Sequence, residues 1–147
     1  MPVKLIPDGF RTVTPYIVVE GASKVIEFLK KGFDAEEIKC AKDPDGKIMC
    51  AEIRIGDSMI MLGEPHESLA PMPGSLYLYV KDTDAAYRKA IAAGGTSLME
   101  PADMFYGDRN AGVKDSAGNM WWIATHIEDV SAEEMKRREE EFLRSRK

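Results

Sequence analysis

Long apolar runs are missing from this 147-residue chain. No stretch approaches the ~18 consecutive apolar residues that a membrane-spanning helix needs, so no membrane span is expected. Positive charge is not in excess either. Lys and Arg number 20 against 25 Asp and Glu, a net charge of -5, which argues against nucleic acid or an anionic membrane as the main partner. Cysteine is scarce: Cys40 and Cys50 are the whole complement. With no signal-peptide pattern, two cysteines fit a reduced, cytoplasmic protein better than a disulfide scaffold. Histidine is equally scarce, with His66 and His126 alone. Cys-x-x-Cys, His-Glu-x-x-His, a phosphate loop and Gly-x-Ser-x-Gly are all absent, which removes the common redox, metalloprotease, nucleotide-binding and serine-hydrolase readings. A site drawn from Cys50, Glu52, His66 and His126 matches no metal-binding spacing.

What is present is one domain's worth of chain with an ordinary soluble composition. Thr12–Val19 is β-branched and aromatic, and reads as a strand with Pro15 at an edge or bulge. Val25, Ile26 and Leu29 recur at helical spacing between Ala22 and Lys31, and Gly32 is placed to stop that helix as a C′ residue. Strands follow at Glu36–Lys42, Lys47–Ile55 and Ser58–Leu62, separated by Asp43-Pro44-Asp45-Gly46 and Gly56-Asp57 turns. A Pro- and Glu-rich loop, Gly63–Gly74, connects to a second series. That series has a strand at Ser75–Val80, a helix capped by Asp82 or Asp84 that ends at Gly94-Gly95, and an extended Thr96–Asp103. Asp103–Asp115 then runs through a Ser116-Ala117-Gly118-Asn119 turn into Met120–His126, which reads as a β-hairpin carrying both tryptophans. Strand, helix, glycine stop and about three strands therefore occur twice, offset by roughly sixty residues. Either half alone is too small to bury both faces. Two halves sharing a space make an α+β fold of tandem βαβββ modules, about 12–63 and 75–126, around a shared curved-sheet cavity, the natural ligand site. Ser131-Ala132-Glu133-Glu134 is a capping-box pattern that opens a charged C-terminal helix, about 131–146. Its narrow Met135, Phe142 and Leu143 stripe suits docking on the domain or on a second subunit.

Four stretches carry a family resemblance. They are Thr12-Val13-Thr14-Pro15-Tyr16-Ile17-Val18-Val19, Ile48–Ser58, Ala102–Arg109 and Trp122–Val130. With the paired modules, they resemble the vicinal oxygen chelate superfamily, which includes glyoxalase I and bleomycin-resistance proteins, in its PhnB-like branch. The resemblance implies the fold throughout the chain but not one activity, since the fold hosts many. It also implies where metal enzymes of the superfamily take ligands, usually two His and two Glu. Those positions fall here on Thr14, on Ile60 or Met61, on Ser75 and on Trp122. None is a competent ligand for a divalent ion, so no metal or other cofactor is expected. Relatives that only sequester drugs also lack the metal, and members commonly share pockets across a homodimer.

Period-2 alternation sorts the strands into faces. Cys50, Glu52 and Arg54 lie on one face, with Met49, Ala51, Ile53 and Ile55 on the other. Tyr16, Tyr77 and Tyr79 share faces with Thr14 and Ser75, and Trp122 shares its face with Met120 and Ala124. An aromatic wall with a few polar points suits a flat, apolar or aromatic small molecule. The candidate ligand-binding residues are Tyr16, Cys50, Glu52, Arg54, Tyr77, Tyr79, Phe105, Tyr106, Arg109 and Trp122. Structural roles stand beside each. Glu52 and Arg54 suit a solvated ion pair, Cys50 an inert core thiol, and the tyrosines and Trp122 core packing. Arg109 suits a bridge to Asp103, Asp108 or Asp115, or an anion held bidentately. The leading function is metal-free binding or sequestration. The alternative is a glyoxalase-like lyase, isomerase or dioxygenase using a non-standard metal site or Glu52 as general acid/base. A protein that uses its surface only for partner contacts is the third reading.

Overall fold

The computed structural model describes residues 2–146. Eleven elements follow in order. The first module holds β1 (Tyr16–Val18), α1 (Ala22–Phe33), β2 (Glu36–Lys42), β3 (Ile48–Ile55) and β4 (Ser58–Gly63). The second holds β5 (Ser75–Tyr79), α2 (Thr83–Ala92), β6 (Thr96–Asp103), β7 (Asp108–Lys114) and β8 (Met120–His126), and α3 (Ala132–Ser145) closes the chain. The sheets have the same topology, β1-β4-β3-β2 and β5-β8-β7-β6. In each, the first strand pairs parallel with the last and the other pairs are antiparallel. The fold is the tandem α+β arrangement expected from the repeat.

β1 is shorter than the Thr12–Val19 pattern suggests. Its backbone bonds to β4 begin only at the carbonyl of Pro15, which accepts from the Met61 N–H, because proline has no N–H of its own to give. α1 overruns Gly32 and ends at Asp34, which takes the left-handed conformation at φ 55°. Gly32 serves the packing instead. A Cβ there would sit 3.3 Å from the Ala90 Cα, so the missing side chain lets α1 approach α2 closely. The N-terminus of α1 has no local side-chain cap; Glu64, just past β4, accepts from the Gly21 and Ala22 N–H groups. A carboxylate there satisfies orphan donors and complements the helix dipole.

One core runs through both modules. Val25, Ile26, Phe28 and Leu29 of α1 pack with Ala51, Ile53, Ile60 and Leu62 of the first sheet and with Ala111, Val113, Trp121 and Ile123 of the second. Phe33 reaches across to Trp121, ring centroids 6.1 Å apart. The β7–β8 turn is built around the buried Asp115. Its carboxylate accepts from the Ala117 and Asn119 N–H groups, from Asn119 Nδ2 and from Trp121 Nε1, all within 2.8–3.0 Å. Asn119 in turn accepts from the Gly74 N–H at 2.8 Å, which ties the turn to the start of β5.

Candidate functional site

Strand alternation in the second module sends Trp121 and Ile123 to the helices and Ser75, Tyr77, Tyr79 and Trp122 to the opposite, open face. β5 and β8 run in register with Tyr77 beside Trp122. The Trp122 indole Nε1–H donates to Ser75 Oγ at 3.0 Å. Its ring lies across Gly112 of β7, where an added Cβ would come within 2.5 Å of Cζ3. The glycine is thus the floor on which the indole rests.

Beside Trp122 lies a polar cluster centred on Asp108, which is 4% exposed. Its Oδ2 accepts from the hydroxyls of Tyr77 (2.7 Å) and Tyr79 (2.9 Å), and its Oδ1 lies 2.9 Å from His126 Nδ1. The other ring nitrogen, His126 Nε2, lies 2.7 Å from Asp129. Burial pushes the Asp108 carboxyl up, but the bonds from His126, Tyr77 and Tyr79 together outweigh it and hold the group below the usual carboxylate range. The Asp108 and Asp129 bonds raise His126 above the ordinary imidazole value. Burial, and then the bond to Asp108, push the Tyr77 hydroxyl far up; for Tyr79 the Asp108 bond is the first cause of an upward shift. Both tyrosines therefore stay protonated. Asn110 Nδ2 donates to the Tyr106 hydroxyl at 3.2 Å. Asn110 Oδ1 is buried without a hydrogen-bond partner.

The first module's open face carries Tyr16, Met61 and Glu52 in one row across β1, β4 and β3. Glu52 is half-buried, with Lys39 opposite it on β2. Arg54 forms its ion pair with Glu36 of β2 rather than with Glu52. Cys50 is half-buried and its thiol is pushed up by burial and then by the Glu52 charge, which makes it a poor nucleophile. Met49 is 60% exposed while Ile48 is buried, contrary to simple alternation. The β2–β3 register shifts at Ala41/Lys42, leaving Met49 as the extra residue of a bulge that reverses the faces.

Arg109 and Phe105, both expected ligand residues, make contacts within the framework. Arg109 lies on the helix side, bidentate to Asp84 of α2 (2.8 and 3.0 Å) and bonded to Asp103 at 2.9 Å. Asp103 was foreseeable from nearness in sequence; Asp84 comes from 25 positions away. Phe105 and Tyr106 lie in a turn between β6 and β7, closed by Gly107 at φ 96°, rather than in a continuous extended run. The Phe105 ring stacks at 4.8 Å on Phe142 of α3. Arg138 of α3 donates to the Phe105 carbonyl, to Glu128 and to Glu134. The C-terminal helix thus docks on its own domain. Ser131 caps it through the Glu134 N–H, while the Glu134 carboxylate turns to Arg137 and Arg138 instead of completing the box.

A cavity of about 1260 Å³ opens between the modules. Phe33, Ile60, Leu76, Leu78 and Trp121 border it, and Tyr77, Tyr79 and His126 reach it around the free edge of β5. Tyr77 and Tyr79 are thus common to the cavity and the open face. Of the other candidate residues, Tyr16, Cys50, Glu52 and Arg54 lie on the first sheet, and Trp122 continues the strip that begins at Tyr79 and Tyr77. Sequence reasoning missed Asp108 and Asn110. Their signal was alternation: both fall two-residue steps from Gly112, which pairs with Trp122.

The four positions to which the resemblance assigns metal ligands do not fit a divalent ion here. An indole N–H can only donate, and it is spent on Ser75, the neighbouring position. Thr14 and either Ile60 or Met61 add at most one hydroxyl and one thioether. Cys50, Glu52, His66 and His126 do not assemble either: among the described residues, no three His, Cys, Asp or Glu side chains are grouped to hold a metal ion.

A family model described as the glyoxalase/bleomycin resistance protein/dioxygenase superfamily matches residues 11–123. An uncharacterized protein of Mycobacterium bovis is 31% identical over 135 residues, covering 84% of this chain and 89% of that protein. A Mycobacterium tuberculosis protein matches at the same identity over 79% of its length. Among solved structures, TioX from Micromonospora superposes with a TM-score of 0.69 at 18% identity, over 80% of this chain and 99% of TioX. The PhnB protein of Bacillus cereus gives 0.62 at 18% identity, over 78% and 98%. The repeated sheet topology, the family model and these likenesses agree: the chain belongs to the glyoxalase/bleomycin resistance protein/dioxygenase superfamily, the vicinal oxygen chelate fold.

Proposed function

We propose that this protein binds a small apolar or aromatic molecule without chemical change and without a metal, using the inter-module cavity and the aromatic strip that borders it. The observation that carries the reading is the cavity of about 1260 Å³ with apolar walls from both modules and Tyr77 and Tyr79 at its rim. Ligand pockets are typically about 300–1,000 Å³ and mainly apolar with a few placed polar groups. The space is therefore ample for one molecule. Tyr77 and Tyr79 are 42% and 65% exposed and Tyr16 is 47% exposed, which is aromatic surface suited to stacking. The chain works as a single domain of two modules, and a second copy laid over the open faces would enclose the ligand, so we place it as a homodimer. Two free cysteines suit a reducing, cytoplasmic setting.

The test uses N-phenyl-1-naphthylamine, an uncharged aromatic probe that fluoresces when shielded from water. Wild-type protein raises its emission saturably, and Tyr77→Ala, at a residue common to the cavity and the aromatic strip, weakens the rise with the circular dichroism spectrum unchanged. No rise with wild type, or equal affinity in the variant, refutes the reading. Sedimentation velocity checks the dimer.

A further inference from the structure

We infer that the ligand's polar end is a hydrogen-bond donor, in its best form a protonated amine, received by the Tyr77–Tyr79 corner in front of Asp108. This rests on the binding reading above and names the class of molecule that the site selects.

The argument is a count of donors. Both tyrosine hydroxyl hydrogens point at Asp108. Both nitrogens of His126 are held by carboxylates. One Asn110 amide hydrogen goes to the Tyr106 hydroxyl, and the Trp122 N–H goes to Ser75. The tyrosine, histidine and indole donors around Asp108 are thus turned onto protein acceptors, and the exposed Lys114 lies farther along the face. What remains for a ligand at this corner is acceptor capacity: the outer lone pairs of the Tyr77 and Tyr79 hydroxyls, which line the cavity. Charge agrees with the count. Asp108 and Asp129 carry two negative charges around one imidazole, so the cluster is net negative even with His126 protonated. The two rings meet edge to face with centroids 5.4 Å apart, and tyrosine faces attract cations. A carboxylate at this corner would face the tyrosine lone pairs and the charges of Asp108 and Asp129, the cations of the cavity (Arg11, Lys81 and Lys89) being other members of its wall.

Calorimetry with three naphthalenes of similar shape tests this: 2-naphthylmethylamine, 2-naphthylacetate and 2-ethylnaphthalene. The amine is expected to bind at least about tenfold more tightly than the acetate, with the hydrocarbon between them. Asp108→Asn and, separately, Tyr77→Phe should pull the amine-to-acetate ratio towards one. A purely structural role for these residues would weaken all three ligands equally and leave the ratio alone, which overturns the inference. Acetate binding as tightly as amine to wild type overturns it too, while leaving the binding reading intact. Failure of all three to bind removes both. Tyr77→Phe keeps the test decisive if Asp108→Asn does not fold.

Discussion

Gly112→Ala is the substitution whose cost can be worked out most directly. Gly112 pairs with Trp122 across β7 and β8, and an added Cβ would lie 2.5 Å from Cζ3, 2.7 Å from Cε3 and 3.3 Å from Cη2 of the indole. Carbon pairs are comfortable at about 3.5–4.0 Å, so the ring must retreat by roughly 1 Å. Retreat stretches the 3.0 Å bond from Nε1 to Ser75. Overpacking costs about 1–3 kcal/mol and the lost hydrogen bond about 0.5–1.5 kcal/mol. Against these, alanine reduces unfolded-state freedom and returns about 0.4–1 kcal/mol. The net destabilisation is about 0.5–4 kcal/mol. Urea denaturation measures it, and repeating the substitution in a Trp122→Ala background isolates the clash. There the ring is gone, and Gly112→Ala should be neutral or stabilising by up to about 1 kcal/mol. An equal penalty in both backgrounds would refute the claim that Gly112 exists to seat the indole.

Asp115→Ala removes the acceptor of four N–H groups in the β7–β8 turn; a loss of about 3–5 kcal/mol is expected in denaturant melts, with Trp121 emission shifted to the red. Arg138→Ala frees α3 from Glu128 and the Phe105 carbonyl, so amide exchange should accelerate across residues 132–145 while protection of Trp121 and Ile123 holds. His126 is raised above 6.5 in the folded state. Its contribution is therefore complete below about pH 6.5 and is lost as pH rises through the higher folded value. Urea midpoints should fall as pH rises above about 6.5, and His126→Gln should flatten that slope. Asp108, held low, acts in the opposite direction, losing its contribution only as pH falls below its ordinary value of 3.8.

The sequence by itself determined the tandem modules, because the hydrophobic period switches between strand and helix twice and the Gly and Pro punctuation repeats with it. It also determined that Trp121 and Trp122 face opposite ways, since neighbours on a strand must. The same local rule failed at Met49, where a bulge adds one residue, and at Gly32, which local rules read as a helix stop. Only the packing of α1 on α2 shows why a side chain is missing there. The resemblance singled out Ser75 and Trp122, but that they bond to each other is seen only in the structure. Alternation put Asp108 on the face of Gly112, but the hub was hidden because Tyr77 and Tyr79 come from β5, which only the sheet brings beside β8 and its hairpin partner β7. The Arg109–Asp84 pair and the Glu64 cap on α1 were hidden for the same reason. Local pattern follows from backbone geometry, which each segment carries alone. A site follows from which distant side chains are brought within about 3 Å of one another, and that is decided only when the sheets pair and the helices pack.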